Sequence, residues 1–334
     1  MRSLSPRRSP VLIPSLLSLL LLAGPARAAQ APERVAVSDT GSAVVSPEPI
    51  YEQRPFQPTL RKPAGPPLLK WNPAWPKVRW GELAATGLGA ALTLGSALVQ
   101  PLKTHRRGGI LFDGDVRSGM RLGSLRARER AADFSDVLLT FNLSYPYVVD
   151  ALAIAGWQHR SPRVAMQMTL IDLEVMTVTA GIQGLTNMLV SRERPYGRDC
   201  GGELDPESGD CVGSGRYRSF FSGHTALTFS AAAVTCAHHR YLRLHGSRGA
   251  DAVPCVAGFV LAGTTGALRI AADRHYISDV LIGATVGTLV GYGIPYLFHY
   301  RHGAAVAPID EGPGLSFTLV PASVGTGAGV AGAF

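Results

Sequence analysis

From residue 81 onward the chain consists of long apolar segments with short charged stretches between them, which restricts the folds open to it. Gly81–Val99 has a single acid, Glu82; Val137–Trp157, Val164–Val190, His224–Ala237, Ala252–Leu268 and Val280–Phe298 follow. Alanine, leucine, valine and glycine dominate, and no segment sustains an alternation of apolar and polar residues, so the pattern favours helices over strands. The expectation is an all-α bundle of about six helices. Gly283, Gly287 and Gly291 recur every four residues and put a small-residue strip on one face of the last helix. Such a strip permits close helix packing in membrane and soluble bundles alike.

A membrane span needs ~20 apolar residues, and Gly81–Val99, Ala252–Leu268 and Val280–Phe298 come near that length. Only 17% of residues are charged, against roughly 25% in ordinary soluble domains. Two segments carry polar groups: Asn142 and Asp150 in one, Gln167, Asp172, Glu174 and Gln183 in the other. Charge facing lipid costs several kcal/mol, so these side chains are expected to face the bundle interior or water. A membrane-embedded bundle is expected, and a wetter, exported bundle is the alternative.

The amino terminus has the layout of a secretory signal peptide: a basic start, the apolar run VLIPSLLSLLLLAG and the small-x-small site Ala26-Arg27-Ala28. Residues 1–28 are read as that signal, with an uncleaved anchor as the alternative. Residues 29–79 are read as a linker because prolines crowd the stretch from Ser46 to Pro76. A helical domain is expected over 80–302. The Gly-rich tail, 303–334, has room for a short strand. The formal charge of +8 includes Arg2, Arg7, Arg8 and Arg27, all within the signal, so the rest is weakly basic and a nucleic-acid partner is not expected.

Export sets the redox context. Cys200 and Cys211 bracket a polar loop, while Cys236 and Cys255 lie on successive apolar segments, and two disulfides are the expectation. Zinc competes poorly, because no C-x2-C spacing occurs and the adjacent His238 and His239 would diverge on a helix. Topology carries a conflict. A cleaved signal followed by one crossing places Lys103–Arg130 inside, as the positive-inside rule prefers. Two more crossings then place residues 191–223 inside as well, at odds with a Cys200–Cys211 bridge.

Three clusters carry chemistry: Ser191-Arg192-Glu193-Arg194-Pro195, Ser219-Phe220-Phe221-Ser222-Gly223-His224-Thr225, and Arg269-x5-His275-x3-Asp279. Each alone fits a solvated helix end or a surface pair. Together they supply what a tetrahedral phosphate needs. Arg194 and Arg269 offer planar guanidinium forks. Ser222 and Gly223 sit where a helix begins, with backbone N–H groups pointing outward and no side chain at Gly223 to block approach. His275 and Asp279 fall one helical turn apart, so Asp279 is expected to accept the Nδ1 proton and leave Nε2 as nucleophile. His224 is expected to protonate the leaving oxygen and then activate water.

This combination and order of motifs resembles the type-2 phosphatidic acid phosphatase and vanadium haloperoxidase superfamily, over roughly residues 137–298. The resemblance implies a helical bundle with its active site at one end. It also implies phosphatase chemistry without metal or cofactor, on a lipid phosphate of the phosphatidic acid or prenyl pyrophosphate class, through a phosphohistidine. Arg194, Ser222, Gly223 and Arg269 would bind phosphate, His224 would be the acid, and the His275–Asp279 pair would supply the nucleophile. The implied setting is a bacterial cell envelope: a multi-pass inner-membrane protein with a periplasm-facing site, whose partners are its lipid substrate and the membrane.

The chain departs from the pattern at Asn187, where the family has Lys. Asn187 is expected to donate hydrogen bonds to phosphate without charge, and Arg192 to take over part of the electrostatic work. Phe221 and Leu268 replace a Pro and a Ser flanking the other motifs. Arg216 and Arg218 could extend the phosphate site or form a basic loop by the membrane. Three alternatives accompany the leading reading: a soluble exported acid phosphatase, a haloperoxidase with vanadate as cofactor, and a non-catalytic binder of lipid phosphate.

Overall fold

The computed structural model describes residues 68–101 and 108–303, together with the backbone of two carboxy-terminal strands. The stretches read as signal peptide and, up to residue 67, as linker lie outside the described residues, as does most of the tail. The described chain is a helical bundle. Helix α1 spans Trp80–Leu98, α2 Asp113–Met120, α3 Leu125–Tyr145, α4 Pro162–Val190, α5 Gly209–Val212, α6 Gly223–Leu242, α7 Arg248–Ala271 and α8 Ile277–Phe298. Helices α2 and α5 are short, so six long helices remain, as expected. Strands β1, Ser316–Pro321, and β2, Ala328–Ala333, pair antiparallel within the Gly-rich tail.

The long helices alternate in direction. Their connections at one end are residues 108–124, 191–222 and 272–276, and all three motifs lie in these connections or in the helix turns that adjoin them. Residues 68–79, 159–161, 243–247 and 299–303 gather at the opposite end. Helix α3 continues into a π-helical stretch, Pro146–Gln158. Pro146 has no N–H to give the preceding turn, and the wider turn starts at that residue.

Helix α6 is central and packs on α3, α4, α7 and α8. Its run of small residues, Ala231 to Ala233 among them, is buried throughout. The glycine strip of α8 lies against it. A Cβ on Gly283 would stand 2.8 Å from the Ser222 carbonyl oxygen, and one on Gly291 would stand 2.7 Å from Ser230 Cα. Backbone therefore meets backbone along this seam, which side chains would pry apart. Helices α1 and α4 cross in the same way, with a Cβ at Gly89 falling 2.6 Å from the Thr177 carbonyl.

Residues 68–79 belong to the bundle rather than to the linker. Leu69 and Trp75 are buried in one core with Ile154, Met168, Leu242 and Tyr300. Trp75 meets Tyr300 edge-on at 4.8 Å, and Tyr300 stacks on Tyr241. Two aromatic residues amid prolines were the available sign that this stretch docks.

Among the described residues, three helical stretches are long and apolar enough to cross a membrane: Leu125–Gln158, Arg248–Ala271 and Ile277–His302. The first is α3 with its π extension, while α1, which the apolar pattern favoured, is not among them. Phe134, Phe141, Leu152 and Trp157 on that stretch, and Val253, Val256 and Val260 on α7, stand more than half exposed. The polar groups of α4 turn inward as expected, with Asp172, Glu174 and Asn187 all buried. Both disulfides form, Cys200–Cys211 at the motif end and Cys236–Cys255 between α6 and α7.

Candidate active site

The segment after α4 turns sharply because Ser191 caps that helix in the left-handed region (φ 47°). Pro195 then holds Arg194 extended. The Arg194 backbone N–H donates to the Arg216 carbonyl at 2.7 Å, and its Nε reaches the Arg218 carbonyl at 3.4 Å. The second motif opens α6. Ser222 is the N-cap, its Oγ accepting from the Thr225 hydroxyl at 2.9 Å, and its own N–H donates to the Asp279 carbonyl at 3.1 Å. Gly223 is the first helical residue, and a Cβ there would press on the Gln183 amide at 3.0 Å. The helix start is thus built where an anion is favoured.

Helix α7 ends at Ala271 with Arg269 in its last turn, buried at 5% exposure. Its Nη1 donates to Ser135 Oγ at 3.2 Å and lies 3.4 Å from Asp136, while Nε has no partner among the described residues. Asp136 also pairs with His224, Oδ1 to Nε2 at 2.7 Å. Asp136 stands just before the apolar run that the sequence reading began at Val137. An acid at that border, unexplained by any local partner, was the only signal for it.

His275 lies in the loop before α8, not on the helix. Asp273 adopts a left-handed conformation (φ 60°) that breaks the chain away from α7. His275 Nδ1 bonds the Ser219 carbonyl at 2.8 Å, leaving Asp279 Oδ2 3.8 Å away. The expected partner is therefore corrected: the ring is oriented by a backbone carbonyl, and Asp279 acts on it across a longer gap. The reason is competition. Asp279 sits in the first turn of α8 and accepts from the Tyr276 N–H at 2.9 Å, the Ser219 hydroxyl at 2.6 Å and Arg192 at 2.6 Å. His275 Nε2 has no hydrogen-bond partner among the described residues. The charges of Arg194, Arg269 and His224 all bear on His275, and burial together with these cations holds its imidazole well below the usual histidine range. Burial likewise lowers the Arg194 guanidinium.

Two expected phosphate ligands are employed elsewhere. Arg192 is 4% exposed, bridges Asp113 and Asp279 at 2.6 Å each, and covers the Tyr276 ring at 4.3 Å. Its charge is spent on two carboxylates, so it does not stand in for a missing Lys. Asn187 is 3% exposed, and its amide nitrogen donates to the Arg218 and Phe220 carbonyls at 3.1 Å. It holds up the second motif from beneath. Arg216 pairs with Glu193 at 2.6 Å, and Arg218 donates to the Ser96 and Val99 carbonyls that end α1. Both fasten loops and leave no second phosphate site at these positions.

The roof of the site is ionic. Arg117 and Arg121 hold Asp199 and Asp273, and Arg121 and Arg128 hold Glu203, whose carboxyl they pull down to about 2. Burial pushes Asp113 up, but the N–H donors of Ile110 and Ser278 and the Arg192 guanidinium outweigh it and keep the carboxyl low. Arg274 pairs with Asp210 at 2.8 Å and covers Tyr196, which binds the Cys200–Cys211 loop to the bundle. Asp113 and Ser135 belong to no motif, and nothing in the sequence singles them out; Ser219 and Arg274 lie within the second and third clusters, where no role was expected of them.

Part of the chain is similar to known proteins. Residues 169–303 match the PAP2 superfamily. The chain is similar to the lipid A 1-phosphatase of Porphyromonas gingivalis, 48% identical over 73 residues, which are 22% of this chain and 15% of the relative. The chain thus spans far less than two thirds of that relative's length. No solved structure matches it. The stretch that matches the PAP2 superfamily, residues 169–303, contains all three clusters that the fold brings to one end of the helical bundle.

Proposed function

We propose that this protein is a phosphatase that hydrolyses a phosphate monoester or pyrophosphate on a lipid through a phosphohistidine at His275. The observation that carries the reading is the His275 ring, with Nδ1 anchored at 2.8 Å on a carbonyl and Nε2 left open among Arg194, Arg269 and His224. A neutral imidazole held in one orientation is a competent nucleophile. Nε2 attacks phosphorus, the P–N bond forms, and the P–O bond to the lipid breaks. His224 gives its proton to the leaving oxygen. Water then attacks the phosphohistidine, His224 takes its proton, and the P–N bond breaks to release phosphate. Arg194, Arg269 and the α6 N–H groups stabilise the charge on the equatorial oxygens. Asp279 positions Ser219 and, through it, His275.

A lipid substrate is supported by the exposed apolar faces of α3 and α7, which lead to the motif end, and by the name of the Porphyromonas relative. Purified protein given phosphatidic acid, a prenyl pyrophosphate and a soluble ester in chelator releases phosphate, fastest from a lipid. A folded protein that releases phosphate from none of them overturns the reading.

A second reading of location keeps the chemistry. Cys200–Cys211 lies at the motif end, and Cys236–Cys255 lies toward the other end of α6. A bundle crossing the inner membrane would turn one of these ends toward a reducing compartment, where disulfides are rare. Two disulfides so placed favour an exported bundle that is bathed at both ends by the periplasm and touches a membrane through its apolar flank. Extraction by alkaline carbonate without detergent supports this reading; retention in the inner-membrane fraction supports the spanning one.

A further inference from the structure

The end of the bundle away from the motifs contains a cavity of about 660 Å³ between α6, α7 and α8. Helix α6 lines it with Cys236 and Arg240, the residue capping that helix, Arg243, adds to the wall, and α7 lines it with Arg248, Asp251 and Cys255. These spacings put one face of each helix on the cavity wall, with the Cys236–Cys255 disulfide between them. None of the three guanidinium groups has an ion pair among the described residues. The one carboxylate in the wall, Asp251, is 4% exposed and already accepts from His239 Nδ1 and the His245 N–H at 2.9 Å. The wall is thus cationic, in contrast to the motif end, where Arg117, Arg121, Arg128, Arg192, Arg216 and Arg218 are held by carboxylates or carbonyls. Tyr241 and Tyr292 add the remaining polar groups.

We propose that this cavity binds a phosphate-bearing anion, and that its occupant is the headgroup of an anionic glycerophospholipid. Three guanidinium forks converging on one space match the oxygens of a phosphodiester. The volume is that of an ordinary small-ligand site. The lipid source is favoured by the surroundings, because α7 carries the exposed Val253, Val256 and Val260 immediately after the cavity, and α8 carries the half-exposed Leu297 and Phe298. A headgroup in the cavity leaves its acyl chains against apolar surface. The cavity is about 20 Å along α6 from Ser222, so the bound lipid is not the one being hydrolysed. The proposal is independent of the phosphatase reading.

The test uses the full chain in phosphatidylcholine nanodiscs with and without phosphatidylglycerol, with lipid retention measured by native mass spectrometry. Inorganic phosphate is titrated in a separate arm. The expected result is retained phosphatidylglycerol, reduced at least tenfold in R240Q/R243Q/R248Q, with inorganic phosphate displacing little of it. Arg240 and Arg248 are exposed, so R240Q/R248Q serves as the second variant if the triple one unfolds. Full displacement by millimolar phosphate would assign the cavity to free phosphate and overturn the lipid source. Retention that is absent, or unchanged in both variants, overturns the site itself.

Discussion

The two ends of the bundle bury the same kinds of side chain to different effect. At the end away from the motifs, His238 bonds Asp172 at 3.0 Å and the Tyr300 hydroxyl at 2.7 Å, and His239 bonds Asp251 and Asp150. Both ring nitrogens of each histidine are occupied. At the motif end, His275 has one nitrogen fixed and the other open, and Arg269 keeps Nε unpaired. Burial costs a polar group free energy unless it is bonded. The rings of His238 and His239 are therefore closed, whereas His275 and Arg269 keep groups ready for a ligand that completes them. An open ring nitrogen alone does not separate site from scaffold, because His159 Nδ1 and His299 Nε2 are also buried without a partner; what sets His275 apart is an open nitrogen on which the charges of Arg194 and Arg269 bear.

The largest effect should come from His275→Ala. Turnover is expected to fall by on the order of 10³-fold or more with helicity unchanged, since the nucleophile is removed outright. Phosphate release at wild-type rate would erase the proposed distinction between the ends. Next is Arg269→Gln, expected to lower kcat by about 10²-fold to 10³-fold while KM changes less, as for loss of one oxyanion-stabilising group. At the other end, His238→Ala should act in the opposite sense. It strands the buried Asp172 carboxylate and should cost about 3 kcal/mol of stability, read by chemical denaturation, while the folded fraction turns over normally. A large loss of kcat there, with stability intact, would show that the closed network takes part in the chemistry.

The smallest effect is in pH. His275 titrates well below the ordinary histidine range in the folded protein, so below an unfolded-state value of about 6.5 the unfolded chain binds more protons. Its effect on stability is therefore nil above that pH, and stability falls as pH drops from about 6.5 toward the depressed folded value. The nucleophile's own acid limb in kcat/KM should likewise lie below pH 6.5. His275→Ala should remove this part of the acid destabilisation, and an unchanged dependence in the variant would show that His275 does not titrate this way.

What could be read from the sequence was whatever is local along the chain. The apolar periods gave the six helices, and each motif straddles or adjoins a connection, so their meeting at one end follows from the alternation of helix direction. Partnerships across the fold were not legible. Arg192 is taken by Asp113, a residue 79 positions away whose short helix carries no motif. Asp279 has the spacing to reach His275, but its place in the first turn of α8 exposes it to nearer donors. Asn187 occupies a position where charge was expected, and its work for two loop carbonyls shows only once α4 and the second motif are side by side.

Along the seam where Gly283, Gly287 and Gly291 press on α6, no side chain intervenes to slide or rotate. The start of α6, which carries His224, and the start of α8, which follows His275, are thereby locked backbone to backbone, and a single bulky substitution at Gly283 would be felt at both ring positions at once.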